Sequence, residues 1–331
     1  MKALVRVGNG PGEFALQELE EPRVLPGTVK LKVAYAGICG TDLHMYEGKM
    51  DLDVPVVLGH EFSGTIAEIG DGVEEFSLGE KVTAEHTFHV CGTCEYCRDG
   101  RYQLCEQRVS VGFEEQGAFA QYVLVSPEYI HRLPESVSLR EGAMTEPLAC
   151  AVHGVELVNP QAGTRSLVVG PGPIGILTGL VLKAYGCRVD IVGTPQDASR
   201  LEAAAGMGLS VVTPEDLEQN RGYDLVADCS GAAGGINLAL QSVKKGGQIL
   251  QVGIAGKPVT IDYDTVLFKE LNVQGTFTHV YSSWERSLRL EKEGLIDVKG
   301  LLGDDRSLDD WQDAFETLKR QEAMKILFKF E

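Results

Sequence analysis

A glycine-rich turn between a strand and a helix constrains this chain more than any other feature of its sequence. The apolar run Leu167–Val169 predicts a buried strand, and Gly170-Pro-Gly172-Pro173-Ile174-Gly175 follows it directly, ahead of a helical stretch. These three glycines permit a tight turn, close approach of a pyrophosphate to the backbone, and close packing of the helix. The helix N-terminus offers N–H groups to phosphates. The motif therefore predicts a dinucleotide site; a Gly/Pro-rich turn without a ligand is the alternative.

The residues around this motif alternate between short apolar runs and helical stretches, which favours a doubly wound parallel sheet and an α/β fold class. The predicted strands are Leu167–Val169, Val189–Val192, Leu225–Ala227 and Gln248–Val252, and the predicted helices are Pro173–Tyr185, Ala198–Ala205 and Ala233–Val243. The residues before about 138 are β-rich, with strands predicted at Val29–Tyr35 and Phe119–Val125, as in a small barrel. The last part predicts helices Ser283–Glu293 and Leu308–Arg320 and a strand Lys325–Phe330.

Composition narrows the possible partners. The 331 residues carry a formal net charge of −18, which disfavours nucleic acid or an anionic membrane as a partner, because both would repel the chain. We expect no secretory signal and no membrane span, because the uncharged run 166–182 is short and contains prolines. Together with clustered cysteines, this predicts a reducing, cytoplasmic location.

Four of the eight cysteines lie within one short polar segment. Cys91, Cys94, Cys97 and Cys105 are spaced as ligands that wrap one ion, and tetrahedral zinc prefers four such thiolates. Because four protein ligands leave no open position, this site is predicted to be structural. An iron–sulfur cluster is the main alternative.

A second group of possible metal ligands is scattered along the chain. Cys39 begins the run Cys-Gly-Thr41-Asp-Leu-His44, His60 and Glu61 follow Gly59, and Glu146 lies in Thr-Glu-Pro. None of these spacings is diagnostic of a metal site. In a chain that also has a dinucleotide fold, these residues favour a catalytic zinc. Removal of hydride from an alcohol requires an ionised hydroxyl, and a zinc ion with three protein ligands and an open position promotes that ionisation.

These motifs, in this order, resemble the zinc-containing medium-chain alcohol dehydrogenases over essentially the whole chain. Within that superfamily the chain resembles the polyol (sorbitol or L-iditol) and L-threonine 3-dehydrogenase branch, since Glu146 stands where related enzymes carry a cysteine ligand. The four-cysteine segment is similar to threonine dehydrogenases. The closing residues Met324–Lys329 are similar to the end of sorbitol dehydrogenases.

The resemblance implies roles for individual residues. Cys39, His60 and Glu61 would bind the catalytic zinc, with Glu146 close to the ion or coordinating it. Thr41 and His44 match a proton relay, in which the hydroxyl takes the proton of the alcohol and the imidazole passes it to solvent. The other five histidines have no motif around them and are interpreted as structural.

The resemblance also implies the architecture. It predicts a GroES-like β-barrel catalytic domain over residues 1–147 with a structural zinc lobe at 86–108, a Rossmann cofactor domain over 148–281, and a return to the catalytic domain over 282–331. The active site would lie in the cleft between the domains. Members of the superfamily are commonly dimers or tetramers, so we expect a homodimer or homotetramer.

The choice between NADP and NAD depends on the end of the second predicted strand. An acidic residue there would bind the ribose hydroxyls of NAD, but Gly193 and Thr194 stand at this place. Asp190 comes too early, and Asp197 is predicted to be the N-cap of the next helix. Thr194 and Arg200 could bind a 2′-phosphate, and the resemblance to NADP-dependent polyol enzymes points the same way. NADP is therefore favoured, with NAD as the alternative.

Taken together, the sequence predicts a dehydrogenase with two Zn²⁺ per chain that oxidises a small secondary alcohol, such as sorbitol, L-iditol or L-threonine, to a ketone with NADP or NAD. The competing hypothesis is a dinucleotide-binding protein without catalysis, or a zinc-independent reductase on the same fold, because fold alone does not determine activity.

Overall fold

The chain leaves one folded unit after residue 146 and returns to it in its last fifty residues. The computed structural model describes residues 1–331. Unit 1 consists of Met1–Glu146, Val280–Lys292 and Leu302–Glu331, and unit 2 consists of Pro147–His279 and Glu293–Leu301. No helix is both long and apolar enough to cross a membrane.

Unit 1 is built mainly from short strands. In chain order the elements up to residue 142 are β1 (Lys2–Arg6), β2 (Phe14–Glu18), β3 (Val29–Gly37), α1 (Gly40–Tyr46), β4 (Val56–Val57), β5 (Glu61–Ile69), β6 (Lys81–Ala84), β7 (Thr87–His89), α2 (Glu95–Arg98), β8 (Val109–Ser110), β9 (Tyr122–Val125), β10 (Ile130–Arg132) and α3 (Leu139–Gly142).

Helices and strands alternate in the next part of the chain. They are α4 (Thr145–Val158), β11 (Arg165–Val169), α5 (Pro173–Ala184), β12 (Arg188–Val192), α6 (Ala198–Gly206), β13 (Ser210–Val211), α7 (Pro214–Gln219), β14 (Tyr223–Asp228), α8 (Ala233–Ser242), β15 (Val243–Gln251), α9 (Asp264–Phe268) and β16 (Asn272–Gly275). The chain closes with α10 (Tyr281–Lys292), β17 (Leu302–Arg306), α11 (Trp311–Lys319) and β18 (Lys325–Lys329).

The largest sheet of unit 1 brings the two ends of the chain together. Its strand order is β10-β6-β5-β3-β18-β17, and β9 also pairs with β3. The central strand β3 pairs antiparallel with both β5 and β18, so that Gly37 faces Glu61 on one side and Leu327 on the other. Apolar side chains of the strands and of α11, such as Phe315, form one buried core. The closing strand is therefore an integral part of this unit.

Unit 2 contains a six-stranded parallel sheet in the order β13-β12-β11-β14-β15-β16. Numbered along the chain, this is the order 3-2-1-4-5-6, whose direction reverses between β11 and β14. The carboxyl ends of strands on either side of such a reversal form a crevice for ligands. The predicted doubly wound sheet is confirmed.

The glycine motif has the conformation that its sequence requires. Gly170 ends β11 at φ +100°, in the left-handed region that side chains disfavour. Gly172 is the N-cap of α5, and Pro173 occupies the first turn, where a missing N–H costs nothing. A Cβ on Gly175 would overlap the carbonyl oxygen of Gly170, so only glycine allows the helix to pack this closely.

Most predicted elements are present, with differences at their ends. The strand predicted at Phe119–Val125 begins at Tyr122, because the backbone of Phe119 instead donates a hydrogen bond to Leu58 and accepts one from Leu4. The sheet in unit 2 also has two strands that the sequence analysis missed, β13 and β16. Both are short edge strands without an apolar run, so neither carries the pattern of a buried strand.

Candidate active site

Cys39, His60 and Glu61 come together where β3 and β5 meet. Cys39 follows β3 and is the N-cap of α1, while Glu61 begins β5 and pairs with Gly37. The ligand atoms of the three residues all lie within 4.8 Å of one another, and both His60 and Glu61 are buried. The pairing of two strands thus joins residues that are separated by about twenty positions in the sequence.

Asp42 supports this group from the side of α1. Its Oδ2 accepts a hydrogen bond from the backbone N–H of Cys39 at 2.8 Å, and its Oδ1 lies 3.7 Å from His60 Nδ1. Asp42 is fully buried, and burial raises the pKa of its carboxyl against the opposing effect of His60. Asp42 Oδ1 therefore faces the Nδ1 side of the ring without a direct hydrogen bond, which leaves Nε2 as the nitrogen available to a metal. The sequence analysis missed Asp42.

The donor set fits zinc. A thiol, an imidazole and a carboxylate are the three kinds of ligand that zinc takes in proteins, and atoms about 2.0–2.3 Å from one ion lie less than about 5 Å apart. Three protein ligands leave a fourth position open for a substrate. This group can therefore hold a zinc ion with a free coordination site.

Glu146 lies in the first turn of α4 and is paired with a histidine rather than grouped with Cys39. Its Oε1 is 3.4 Å from Nδ1 of His86, and both side chains are buried. The His86 ring makes an edge contact with the His60 ring, with centroids 5.6 Å apart, and Phe113 packs on both rings. The sequence analysis interpreted His86 as structural, and its ring contacts both Glu146 and His60. No motif in the sequence marks it.

Thr41 and His44 both lie on α1, three residues apart, so they share one face of that helix. Both side chains are half-buried. His44 Nδ1 is buried and makes no hydrogen bond within the protein.

Lys325 is a further residue of this site that the sequence analysis did not single out. It opens β18 and its side chain is 4% exposed, while its Nζ forms an ion pair with Glu61 Oε2. The only available signal was a lysine directly before three apolar residues at the start of the closing strand.

The four-cysteine lobe is a separate metal-binding group. Cys91, Cys94, Cys97 and Cys105 have their sulfur atoms within 4.8 Å of one another, and none forms a disulfide. Backbone N–H groups of Cys94 and Cys97 donate to the sulfur atoms three residues earlier, at 3.3 and 3.4 Å. Such bonds stabilise thiolates, so the geometry suits a closed tetrahedral zinc site.

The second candidate site, for the cofactor, lies in unit 2. Gly170, Gly172, Pro173, Ile174 and Gly175 connect β11 to α5 at the point where the strand order reverses. The first turn of this twelve-residue helix therefore presents its N–H groups at the crevice where dinucleotides bind in such sheets.

The end of β12 differs in detail from the prediction. Gly193 and Thr194 follow the strand directly, and Asp197 immediately precedes α6 as predicted, but its carboxylate does not cap that helix. Instead Oδ2 accepts hydrogen bonds from the backbone N–H and the hydroxyl of Thr194, at 2.9 and 2.7 Å. Arg200, mostly buried, lies 3.7 Å from Asp197 Oδ1. Asp197 therefore closes a short turn that begins at Thr194.

Two family models match the chain. Residues 25–135 match the alcohol dehydrogenase GroES-like domain, and residues 173–293 match the zinc-binding dehydrogenase domain. The chain is also 39% identical to a sorbitol dehydrogenase of Halalkalibacterium halodurans, over 99% of this chain and 98% of that protein. The chain belongs to the zinc-containing medium-chain alcohol dehydrogenases. The resemblance inferred from the sequence is thereby confirmed, as is the fold class of a GroES-like domain with a Rossmann domain.

Other relatives within this superfamily differ in substrate. A D-arabitol-phosphate dehydrogenase of Enterococcus avium is 34% identical, over 99% of this chain and 97% of that protein. An L-threonine 3-dehydrogenase of Mesorhizobium japonicum is 33% identical, over 99% and 98%. These relatives place the chain in the polyol and L-threonine dehydrogenase branch of the superfamily, as the sequence analysis predicted.

Solved structures of similar proteins contain both kinds of nicotinamide cofactor. A putative zinc-binding dehydrogenase of Sinorhizobium meliloti bound to NADP has a TM-score of 0.90 at 30% identity, covering 99% of each chain. A dehydrogenase of Escherichia coli CFT073 complexed with NADH has the same TM-score at 26% identity, covering 100% of this chain and 99% of its own.

Proposed function

We propose that this medium-chain dehydrogenase oxidises a secondary alcohol of a polyol to a ketone, with a catalytic zinc and NAD(P) as hydride acceptor. The observation that carries the proposal is the buried group of Cys39, His60 and Glu61, which joins a thiol, an imidazole and a carboxylate within 4.8 Å. It favours a zinc enzyme over a zinc-independent reductase, because a reductase without zinc does not need such a group. Its chemistry suits the ionisation of an alcohol.

In this proposal, Cys39 and His60 would hold a zinc ion, which when bound would supply a Lewis acid for the substrate hydroxyl. Thr41 Oγ1 receives the hydroxyl proton, and His44 passes it to solvent, since an imidazole exchanges protons near neutral pH. The unpartnered Nδ1 of His44 supports this role, because it leaves a proton-exchanging atom uncommitted. The glycine turn of Gly170, Gly172 and Gly175 would hold the nicotinamide dinucleotide that accepts the hydride from the substrate carbon.

The substrate class is proposed to be a polyol, such as sorbitol or L-iditol, ahead of L-threonine. The relatives at 39% and 34% identity are a sorbitol and an arabitol-phosphate dehydrogenase, which supports a polyhydroxylated substrate. A panel of polyols, phosphorylated polyols, L-threonine and simple secondary alcohols, followed by the absorbance of reduced nicotinamide, tests the proposal. If L-threonine gives the highest kcat/KM, the polyol assignment is wrong.

The cofactor is proposed to be NADP in preference to NAD. No carboxylate stands directly at the end of β12, and the Arg200 guanidinium is a possible partner for a 2′-phosphate. Asp197 opposes this preference, because a carboxylate 3.7 Å from Arg200 would repel the phosphate. The two values of kcat/KM with one good alcohol decide the question. A preference for NAD of about tenfold, or about 1.4 kcal/mol, would identify Asp197 as the ribose partner.

Two zinc ions per chain are proposed, one in the Cys39 group and one in the four-cysteine lobe. Metal analysis of the purified protein tests the number: two ions fit a zinc dehydrogenase, and one ion fits the competing hypothesis of a protein without a catalytic metal.

We further propose that the protein forms a homodimer or homotetramer. We also propose that it works in the cytoplasm, because clustered free thiols require a reducing environment.

A further inference from the structure

A buried carboxylate ends the strand of unit 2 that lies beside the glycine motif. Asp228 is the last residue of β14, the strand that pairs with β11 where the strand order reverses, and it is fully buried. A buried charge is costly unless hydrogen bonds compensate it. The donors around Asp228 therefore show what this carboxylate holds in place.

The donors come from the two turns that follow β14 and β15. Asp228 Oδ1 accepts hydrogen bonds from the hydroxyl and the backbone N–H of Ser230, at 2.6 and 3.3 Å. Its Oδ2 accepts hydrogen bonds from the N–H of Gly231 at 3.1 Å and from Nε2 of Gln251 at 2.7 Å. The same Nε2 donates to the carbonyl oxygen of Gly253 at 2.8 Å. One carboxylate thus joins both turns.

The two turns lie too close together for any residue larger than glycine where they meet. A Cβ on Gly253 would lie 2.2 Å from the backbone nitrogen of Gly231, and a Cβ on Gly231 would lie 2.4 Å from the carbonyl oxygen of Ile254. The N–H groups of Val252 and Gly253 both donate to the carbonyl oxygen of Asp228 at 2.9 Å. The arrangement of the turns therefore depends on Asp228.

These turns border the crevice of unit 2. A Cβ on Gly170, in the glycine motif, would lie 3.0 Å from the backbone nitrogen of Ser230, so the turn after β14 is in close contact with the motif. Ile254, in the turn after β15, is 65% exposed and gives this border an apolar surface. Ligand sites are lined mainly by such apolar side chains, together with a few polar groups that fix the orientation of the ligand.

The position of the turns indicates which part of a dinucleotide they would receive. A sheet with this strand order has two halves, each of which binds one mononucleotide. The half formed by β11, β12 and β13 contains the glycine motif and the strand end at which the adenosine ribose binds. The half formed by β14, β15 and β16 is left for the nicotinamide mononucleotide, and Asp228 joins the carboxyl ends of its first two strands.

We propose that Asp228 is a positioning residue for the cofactor, because it fixes the two turns that receive the nicotinamide half. The inference rests on the proposed use of NAD(P) and deepens it. Asp228 acts through the backbone of the turns and not through the glycine motif. Its loss should therefore weaken the binding of the nicotinamide half and leave the binding of the adenosine half unchanged.

The first test compares Asp228→Asn with the parent chain in equilibrium binding of NADPH and of 2′-phospho-ADP-ribose, which lacks the nicotinamide. An amide nitrogen in place of either carboxylate oxygen leaves a backbone N–H of the first turn without an acceptor. We expect the Kd of NADPH, measured by its fluorescence, to rise at least about tenfold. The Kd of the fragment, measured by calorimetry, should change less than about twofold.

Asp224→Asn is the matched control for this test. Asp224 lies on β14 as well, near the opposite end of the strand, and its carboxylate pairs with Lys244. This variant should change neither Kd. If NAD proves to be the preferred cofactor, NADH and ADP-ribose take the place of the two ligands.

The second test does not depend on the folding of Asp228→Asn. Gln251→Met keeps the length of the side chain and removes the amide that connects Asp228 to the turn of Gly253. We expect the Kd of NADPH to rise about threefold or more, and the Kd of the fragment to stay within about twofold of that of the parent.

Two outcomes would overturn the inference. Equal weakening of both ligands in Asp228→Asn would show that Asp228 supports the whole of unit 2, and unchanged binding of NADPH in either variant would show that the turns do not receive the nicotinamide half. The proposed function fails separately, on the parent chain. If that chain binds neither NADPH nor NADH, it is not a nicotinamide-dependent dehydrogenase, and the inference loses its basis as well.

Discussion

At the scale of single residues, the candidate active site has two carboxylates with different surroundings. Glu61 pairs with the ammonium of Lys325, whereas Glu146 Oε1 faces the imidazole of His86 at 3.4 Å. Of the two carboxylates, Glu61 is the one that forms a group of possible metal ligands with Cys39 and His60. The two carboxylates are therefore expected to contribute differently to zinc retention and to catalysis.

We predict that Glu146→Ala lowers kcat by about tenfold to a hundredfold, the usual cost of losing a group beside a metal ligand, and retains a large part of the zinc. Cys39→Ala should lose the ion of this site altogether, because the thiolate is its strongest ligand. Zinc content by mass spectrometry and initial rates measure both effects. Glu128→Ala, on an exposed turn, serves as the control. An unchanged kcat in Glu146→Ala would remove Glu146 from the site.

The sequence allowed part of this site to be predicted. Cys39, His60 and Glu61 could be selected because a family motif surrounds them. His86 and Lys325 could not, because each reaches the site through tertiary pairing. His86 follows β6, and Lys325 depends on the pairing of β18 with β3 across almost the whole chain. Neither long-range contact leaves a local pattern in the sequence.

At the scale of elements, a buried histidine connects helix α10 to the strands of unit 1. His131 on β10 pairs through Nδ1 with Glu285 of α10 at 2.5 Å and through Nε2 with Glu85 at 3.2 Å. Trp284 stacks on its ring, with centroids 5.4 Å apart. Burial lowers the pKa of His131, but the hydrogen bonds to Glu285 and Glu85 outweigh this effect, so the pKa is raised. The same contact lowers the pKa of Glu285.

This pair predicts a pH-dependent stability. A histidine with a raised pKa stabilises the fold fully below its unfolded value of about 6.5 and loses that contribution as pH rises through its folded pKa. Glu285, with a lowered pKa, contributes above about 4.5 and loses its contribution as pH falls. Glu285→Gln should therefore lower Tm most between about pH 5 and 6.5, and less once the pH has risen through the raised pKa of His131. Thermal unfolding across pH measures this. A Tm difference that does not vary with pH would contradict the charged pair.

The four-cysteine lobe is a second element with its own role. Tyr102, within the lobe, donates its hydroxyl to the buried carboxylate of Glu85 at 2.7 Å, which ties the lobe to the rest of unit 1. Its metal would therefore stabilise the lobe and its attachment, and a closed site with four protein ligands cannot bind a substrate.

We predict that Cys97→Ser lowers Tm or expression while one zinc per chain remains, because metal binding in such a lobe contributes directly to its folding. The folded fraction of the variant should keep a kcat close to that of the parent. Cys187→Ala, which removes a cysteine of unit 2, should keep both ions. If Cys97→Ser keeps two zinc ions and full stability, the lobe is not a structural zinc site.

At the scale of the whole molecule, the strands of the unit 2 sheet were predictable where they are buried and were missed where they are exposed. Runs such as Leu167–Val169 and Leu225–Ala227 are apolar because both faces of a central parallel strand are covered. Strand β16, Asn272–Gly275, is mostly exposed and mostly polar, so the sequence pattern does not distinguish it from a loop. The same exposure makes it a candidate for contact with another chain.

We predict that the proposed oligomer forms through the edge at β16. This strand ends the sheet of unit 2, and an unpaired edge offers free N–H and C=O groups to a partner strand. Beside it α9 exposes Leu267 and Phe268, at 71% and 72%, and apolar exposure next to an open edge favours burial in an interface. Val273→Lys should therefore shift the mass measured by light scattering toward the monomer, because a charge would be buried at that edge. Val211→Lys, on the opposite edge strand β13, is the matched control and should leave the mass unchanged. An oligomer that survives Val273→Lys intact, or one that Val211→Lys disrupts equally, would show that association uses another surface.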